Sequence, residues 1–262
     1  MSVGLVLLHG FLGSPESFQE IEARMSPAIS RHIPTLYGHR GFRESDPLSE
    51  FEAETARLAH IIESDARSGP VHLVGYSLGA RLALSLLIRA PNLFRSATLI
   101  SGRRGLDSRE EREQRLTSDL HWAEQLRTRS LEDFLDAWEN QPMFSVMQQL
   151  APDNLRRLRE QRLRHDPEAL AQALVGLSLS KMPGYGKELS RVRVPVTVVA
   201  GGLDEKFVAL GQDLVSRVPN SKLVVVDGAG HHLLIERPDA VAATIVEGMN
   251  HDQCFMGKSQ NV

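Results

Sequence analysis

Val71–His72–Leu73–Val74–Gly75–Tyr76–Ser77–Leu78–Gly79 decides how this chain is read. A short apolar run closes on Gly-x-Ser-x-Gly, and the residues from Ala80 to Leu87 continue with helical spacing. A strand that turns at once into a helix forces the serine onto strained backbone. Glycines on either side remove the Cβ atoms that would collide there. The turn holds the Ser77 hydroxyl clear of the sheet, with the amide of Leu78 at the helix start facing any negative charge beside it. Five common residues are a weak signal by themselves. Their place between a strand and a helix marks Ser77 as a nucleophile, against the alternative of a tight glycine turn with an inert serine.

Outward from this motif, strand-like runs occur at Val3–Leu8, His32–Leu36, Val71–Gly75, Ser96–Ser101, Val194–Ala200 and Lys222–Asp227. Helical patterns lie between most of them, at Ser17–Ser26, Leu48–Asp65, Arg81–Ile88, Ala209–Arg217 and Pro238–Met249. This alternation predicts an α/β fold with a mostly parallel central sheet flanked by helices. The near-continuous apolar character of the runs fits strands buried on both faces. Residues 103–187 break the pattern: they are rich in charge and offer helical spacing at Glu110–Arg127, Leu131–Asn140, Asn154–Arg164 and Pro167–Ser178. An all-helical insertion between two core strands reads as a cap over the carboxyl edge of the sheet, where open α/β sheets bind ligands. The expected organisation is a core from residues 1–102 and 188–250, a cap at 103–187, and a polar, flexible tail at 251–262.

The chain has 262 residues, 42% hydrophobic and 24% charged, which is ordinary for one globular domain with an insertion. A net charge of −3 gives no general reason to expect nucleic-acid or membrane binding. The apolar run at Val3 is too short to span a bilayer and lacks a basic flank and a cleavage site, so it reads as a strand rather than a signal peptide. Cys254, the single cysteine, cannot form an internal disulfide, and a cytoplasmic location is the expectation. No phosphate-binding glycine fingerprint follows the first strand and no histidines show metal-ligand spacing, so neither cofactor nor metal is expected. Nothing in the sequence fixes an oligomeric state. Among 30 basic residues only five are lysine, and twelve arginines fall between Arg103 and Arg164. Most of these suit solvated helix faces, yet guanidinium is also the group that grips carboxylates with two parallel hydrogen bonds.

A serine hydroxyl becomes reactive when a histidine takes its proton and a carboxylate orients that histidine. The order Ser, acid, His, each just past a strand, is present here. Val196–Asp204 places Asp204 after one strand, and Leu223–His231 places His231 after the next. Asp204 is assigned as the orienting acid and His231 as the base. His232 and Asp227 compete for these roles, but the Gly228–Ala229–Gly230 turn favours His231, and Asp227 suits turn chemistry. The oxyanion hole needs a second amide beside that of Leu78, and the glycine-flanked loop His9–Gly13 offers Phe11. His9 is read as ordering that loop, and His39 as bracing a second loop at Gly38–Gly41.

Together these residues resemble the α/β-hydrolase superfamily over nearly the whole chain. Within it the resemblance is to the 2-succinyl-6-hydroxy-2,4-cyclohexadiene-1-carboxylate (SHCHC) synthases of menaquinone biosynthesis. It rests on Gly75–Arg81, with an arginine four residues after the serine. It rests also on Gly105–Leu106, Glu113–Arg115, Ser118–Trp122, Trp138–Phe144 and Asp204–Phe207. The resemblance implies a lyase that removes pyruvate from SEPHCHC, an enolpyruvyl cyclohexene carrying several carboxylates, with Ser77 and His231 abstracting a ring proton. It implies substrate binding by Tyr76, Arg81, Arg115, Trp138 and a later cap arginine, with Arg162 preferred and Arg159 second. The chain departs from the family's pattern at Glu139, where relatives can carry an aromatic residue, and at Tyr37–Gly41, which replaces Pro-Gly-His-Gly. A serine hydrolase of esters or carbon–carbon bonds could use the same triad, and a ligand-binding sensor could reuse the fold. A neutral-ester hydrolase needs no cluster of guanidiniums, whereas a small polycarboxylate substrate does.

Overall fold

The apolar runs assemble into one parallel sheet. The structure is a computed structural model that describes residues 4–42, 50–66 and 69–256, with side chains described as far as residue 250. Its strands are β1 (Leu5–Leu8), β2 (Arg31–His32), β3 (Val71–Tyr76), β4 (Phe94–Ile100), β5 (Val196–Gly201) and β6 (Ser221–Val226). They lie in the order β2-β1-β3-β4-β5-β6, every neighbouring pair parallel. β1, β3 and β5 are buried at every position, which accounts for runs without polar alternation. β1 lies between β2 and β3, so the chain leaves it for one edge and returns on its other side. The loops after β1 and β3 therefore diverge and open a crevice at the carboxyl edge.

The helices are α1 (Gln19–Glu22), α2 (Phe51–Asp65), α3 (Leu78–Arg89), α4 (Arg109–Thr128), α5 (Leu131–Glu139), α6 (Pro152–Arg162), α7 (Pro167–Gly176), α8 (Glu205–Val215), α9 (Leu233–Glu236) and α10 (Pro238–Met256). α4 to α7 follow the insertion pattern. Side-chain caps fix the starts of α4, α5 and α7: Ser108 and Glu111 form a capping box, Ser130 accepts from the amide of Asp133, and Asp166 accepts from that of Ala169; α6 starts instead on Pro152. The apolar faces of these helices meet around Ala123, Phe134, Leu135 and Leu170, and Leu12 from the loop after β1 joins them. Among the described residues no helix is long and apolar enough to cross a membrane.

Some elements differ from the sequence expectation. The strand expected over His32–Leu36 pairs only through Arg31–His32, because Pro34 has no N–H to give to a ladder. The helix expected over Ser17–Ser26 is a 3-10 turn at Pro15–Phe18 followed by the short α1, started early by Ser14 and Pro15 and stopped ahead of Pro27. α8 begins four residues before Ala209, since the Asp204 side chain caps it. Val3, Leu48 and the end of the expected tail at 257–262 lie outside the described residues, as does the side chain of Cys254.

Burial leaves several histidines neutral. Desolvation pulls the pKa of His9 down to about 4, that of His72 to about 3 and that of His165 to about 4, and holds His39 and His232 well below the ordinary value. The unfolded chain protonates these rings near pH 6.5 and the folded chain does not. Stability is therefore fully present above pH 6.5 and falls with pH below it, by about 1.4 kcal/mol per pH unit for each such ring. Calorimetry is expected to show Tm dropping steeply from pH 6.5 to 4.5, with protons taken up on unfolding. A flat Tm across that window would contradict the neutral assignment.

Candidate active site

Ser77 sits between β3 and α3 with φ 51° and ψ −104°, a conformation rarely adopted by a residue with a Cβ. The flanking glycines permit it. A Cβ on Gly75 would lie 2.4 Å from the carbonyl oxygen of Gly79, and one on Gly79 would lie 2.1 Å from that of Leu8. The Ser77 amide donates to Ile100 at 2.9 Å, which ties the turn to β4. Strain in the turn is thus held by packing on both neighbouring strands.

The Ser77 hydroxyl donates to Nε2 of His231 at 3.1 Å, and Nδ1–H of His231 donates to Oδ2 of Asp204 at 2.9 Å. The carboxylate thereby sets the tautomer that leaves Nε2 free to accept. Asp204 is itself fixed, because its Oδ1 accepts from the amide of Phe207 at 3.3 Å at the start of α8. The imidazole is 1% exposed and packs edge-on against Phe207 at 4.5 Å. The loop carrying it is pinned by the buried Glu236, which accepts from the amides of Gly230 and His232, the latter at 3.2 Å. Burial raises the pKa of the Glu236 carboxyl.

Opposite the hydrogen-bonded Ser77, His231 and Asp204, the Gly13 amide donates to the Gly10 carbonyl at 3.1 Å and closes a turn around Phe11 and Leu12, with Leu12 at φ 61°. Among the described residues no protein acceptor takes the N–H of Phe11 or of Leu78. Two free amides beside a serine hydroxyl are the elements of an oxyanion site. Histidines hold the loops behind them. His9 donates through Nδ1 to Gly10 at 2.9 Å and accepts through Nε2 from Leu36 at 3.2 Å. His39 donates to the carbonyl of Tyr37 at 2.9 Å. His165, between α6 and α7, donates to the Leu12 carbonyl at 3.2 Å and accepts from the Arg40 amide at 3.0 Å. The cap is therefore tied directly to the turn that carries Phe11.

The crevice becomes a pocket under α4 to α7. Its wall includes Phe11, Tyr76, Ser77, Leu78 and His231 from the core, and Arg115, Trp138 and Arg162 from the cap. Arg81 joins them from α3, where its guanidinium donates to the Leu177 carbonyl at 3.0 Å. Burial, with Arg115 and Arg103 nearby, pulls the Arg81 pKa down to about 9, and the group is still charged at neutral pH. Trp138 stacks on Phe134 at 5.7 Å and touches Phe11 at 5.1 Å. Arg162, and not Arg159, lines the pocket; Arg159 pairs with Asp136 at 2.7 Å on the outer side.

A model described as the alpha/beta hydrolase family matches residues 5–244. The chain belongs to the alpha/beta hydrolase family. Within it, the chain falls among the 2-succinyl-6-hydroxy-2,4-cyclohexadiene-1-carboxylate synthases. One such enzyme from Enterobacter sp. (strain 638) is 32% identical over 251 residues, covering 93% of this chain and 90% of that one. Another, from Klebsiella pneumoniae, is 29% identical over 246 residues, covering 93% and 92%. The structure of MenH from S. aureus superposes with a TM-score of 0.91 at 25% identity, covering 97% of this chain and 96% of that one. A thermophilic esterase from Thermogutta terrifontis, in a malate-bound form, shares the fold with a TM-score of 0.80 at 21% identity over 96% and 90%.

In this alpha/beta hydrolase neither rival residue bonds to the serine among the described residues. His232 shares the pocket wall, but its ring packs on Tyr76 at 5.3 Å and its Nδ1 is buried without a partner, and Asp227 is absent from that wall. Sequence reasoning missed Ser101, Arg103, Trp122, Phe207 and Glu236. Ser101 stands at φ 50° and donates to the His231 carbonyl at 3.1 Å, so it braces the histidine loop from the end of β4. A serine at a strand end carries no signal of that contact. Trp122 was legible as part of a cap motif, but its place beside Trp138 at 5.1 Å depends on how α4 meets α5.

Proposed function

We propose that this alpha/beta hydrolase is a carbon–oxygen lyase of menaquinone biosynthesis that eliminates pyruvate from SEPHCHC to give SHCHC. Ser77, His231 and Asp204 are its catalytic residues. As Nε2 of His231 draws off the hydroxyl proton, the Ser77 oxygen takes a proton from the ring carbon. The electron pair left behind forms a ring double bond while the carbon–oxygen bond to the enolpyruvyl group breaks. The released enolpyruvate takes up a proton and becomes pyruvate. Water is not consumed and no bond to Ser77 is made. The Phe11 and Leu78 amides stabilise the negative charge that develops in the substrate, and Tyr76 and Trp138 shape the apolar wall against the ring.

The observation that carries this reading is Arg81, one helical turn after Ser77, facing the pocket with no carboxylate within ion-pair distance among the described residues. A charged group kept this way beside the nucleophile needs an anionic ligand, and a polycarboxylate supplies one. The test is pyruvate release from SEPHCHC beside a panel of short-chain p-nitrophenyl esters. Fast release with negligible ester cleavage is expected, and efficient ester cleavage without pyruvate would overturn the lyase.

Asp204→Asn probes the tautomer. An amide at this position no longer holds the imidazole with Nε2 as acceptor, so kcat for pyruvate release is expected to fall by about 10³–10⁴-fold with the fold retained. Activity within tenfold of the parent enzyme would remove Asp204 from the triad.

A further inference from the structure

The positive charge in the pocket is distributed unevenly. On one wall Arg162 donates to Glu139 at 2.7 Å, and Glu139 also lies 3.5 Å from Arg159. That cation has its counter-charge inside the protein. On the other wall Arg81, Arg103 and Arg115 share the space beside Ser77, and the only carboxylate there within ion-pair distance, among the described residues, is Asp119. Asp119 takes the Nε of Arg115 at 2.9 Å and leaves the outer nitrogens of that side chain for a ligand. Three guanidiniums against one carboxylate leave an excess of two positive charges on this wall.

Arg103 is held there by the fold. It follows Gly102, whose missing Cβ would lie 2.8 Å from that of Ala80, so the loop after β4 packs directly on α3 and on the turn that carries Ser77. Its Nη2 donates to the Gly105 carbonyl at 3.1 Å. Gly105 stands at φ +110°, where a Cβ would meet the Pro183 carbonyl at 2.6 Å, which fixes that acceptor. The Nε of Arg103 is buried without a hydrogen-bond partner. Burial and the neighbouring Arg115 lower the pKa of Arg103, as expected of like charges gathered away from water. Asp107 and Glu111 act on Arg103 only at longer range, and among the described residues no carboxylate lies within ion-pair distance of Arg81 or Arg103, which leaves that place to an anionic ligand.

We propose that Arg103 is a substrate-binding residue that completes, with Arg81 and Arg115, a subsite for two carboxylates. The ligand is thereby seated with its doubly charged end against the β4 loop and its less charged end toward Glu139 and Arg162. The identity of the natural ligand rests on the lyase reading; the anion preference does not.

Calorimetric titration with succinate, a dianion, and butyrate, a monoanion of the same carbon count, reads the subsite without turnover. Wild-type protein is expected to bind succinate at least about tenfold more tightly than butyrate, since one charge-assisted hydrogen bond contributes on the order of that factor or more. Arg103→Leu is expected to erase most of that preference while butyrate binding and Tm change little, and Arg103→Lys to keep part of it. In the pyruvate assay Arg103→Leu is expected to raise KM about tenfold with kcat within about threefold, the pattern of lost uniform binding. Glu139→Gln supplies an independent arm: it frees Arg162, and affinity for the trianion tricarballylate is expected to rise about tenfold. An undiminished succinate preference in folded Arg103→Leu, or no gain for tricarballylate in Glu139→Gln, would overturn the proposal. Succinate selectivity without pyruvate release would instead count against the lyase reading alone.

Discussion

Replacing Ser77 with alanine is expected to lower kcat for pyruvate release by about 10³-fold or more, with substrate affinity and Tm nearly unchanged. The substitution removes one oxygen atom, the one that donates to His231 at 3.1 Å. It leaves the pocket wall, the arginines and the amides of Phe11 and Leu78 in place, so binding survives while the proton acceptor is lost. The backbone at φ 51° remains, and alanine tolerates it no better than serine, so stability is not expected to fall through strain. Steady-state kinetics and calorimetry on the same preparation separate these effects. A variant that keeps a tenth of the parent kcat would show that Ser77 does not carry the proton.

Gly79→Ala is expected to be among the most damaging small substitutions in the core. A Cβ there would lie 2.1 Å from the Leu8 oxygen and 2.5 Å from the Leu8 carbonyl carbon, both backbone atoms of β1. Neither can swing aside as a side chain would, so α3 must lift away from the sheet. Overpacking of this kind costs about 3 kcal/mol or more, which for a chain of this size is a Tm loss of roughly 6–12 °C. Lifting α3 also moves the Leu78 amide and Ser77, so activity is expected to fall further than stability alone implies. Gly186→Ala is the control, because a Cβ at Gly186 meets no atom within 4 Å. Equal Tm values for the two variants would refute the close approach of α3 and β1.

Much of this was legible because the decisive constraints are local. Gly75 and Gly79 announce a turn in which no Cβ fits, and apolar runs bounded by glycine announce buried parallel strands, so the elbow and the sheet follow from short stretches of chain. The sequence order of Ser77, Asp204 and His231 carried their meeting, since each follows a strand of one parallel sheet. What escaped depends on contacts between distant segments. Arg103 looks like any basic residue of an arginine-rich stretch until Gly102 packs on Ala80. His165 gave no sign of reaching the Leu12 carbonyl across 153 positions. Pro34 shows the opposite failure: its local effect on strand pairing was readable, and an apolar pattern was weighted above it.

The most direct measurement of the central claim is the kinetic isotope effect on pyruvate release from substrate deuterated at the ring carbon that loses its proton, combined with mass spectrometry of the enzyme during a single turnover. A primary isotope effect, with Ser77 unmodified throughout, is the expected result for proton abstraction by the serine. Release indifferent to the deuterium, together with a covalent adduct accumulating on Ser77, would contradict it and show that Ser77 acts as a nucleophile rather than as the proton acceptor.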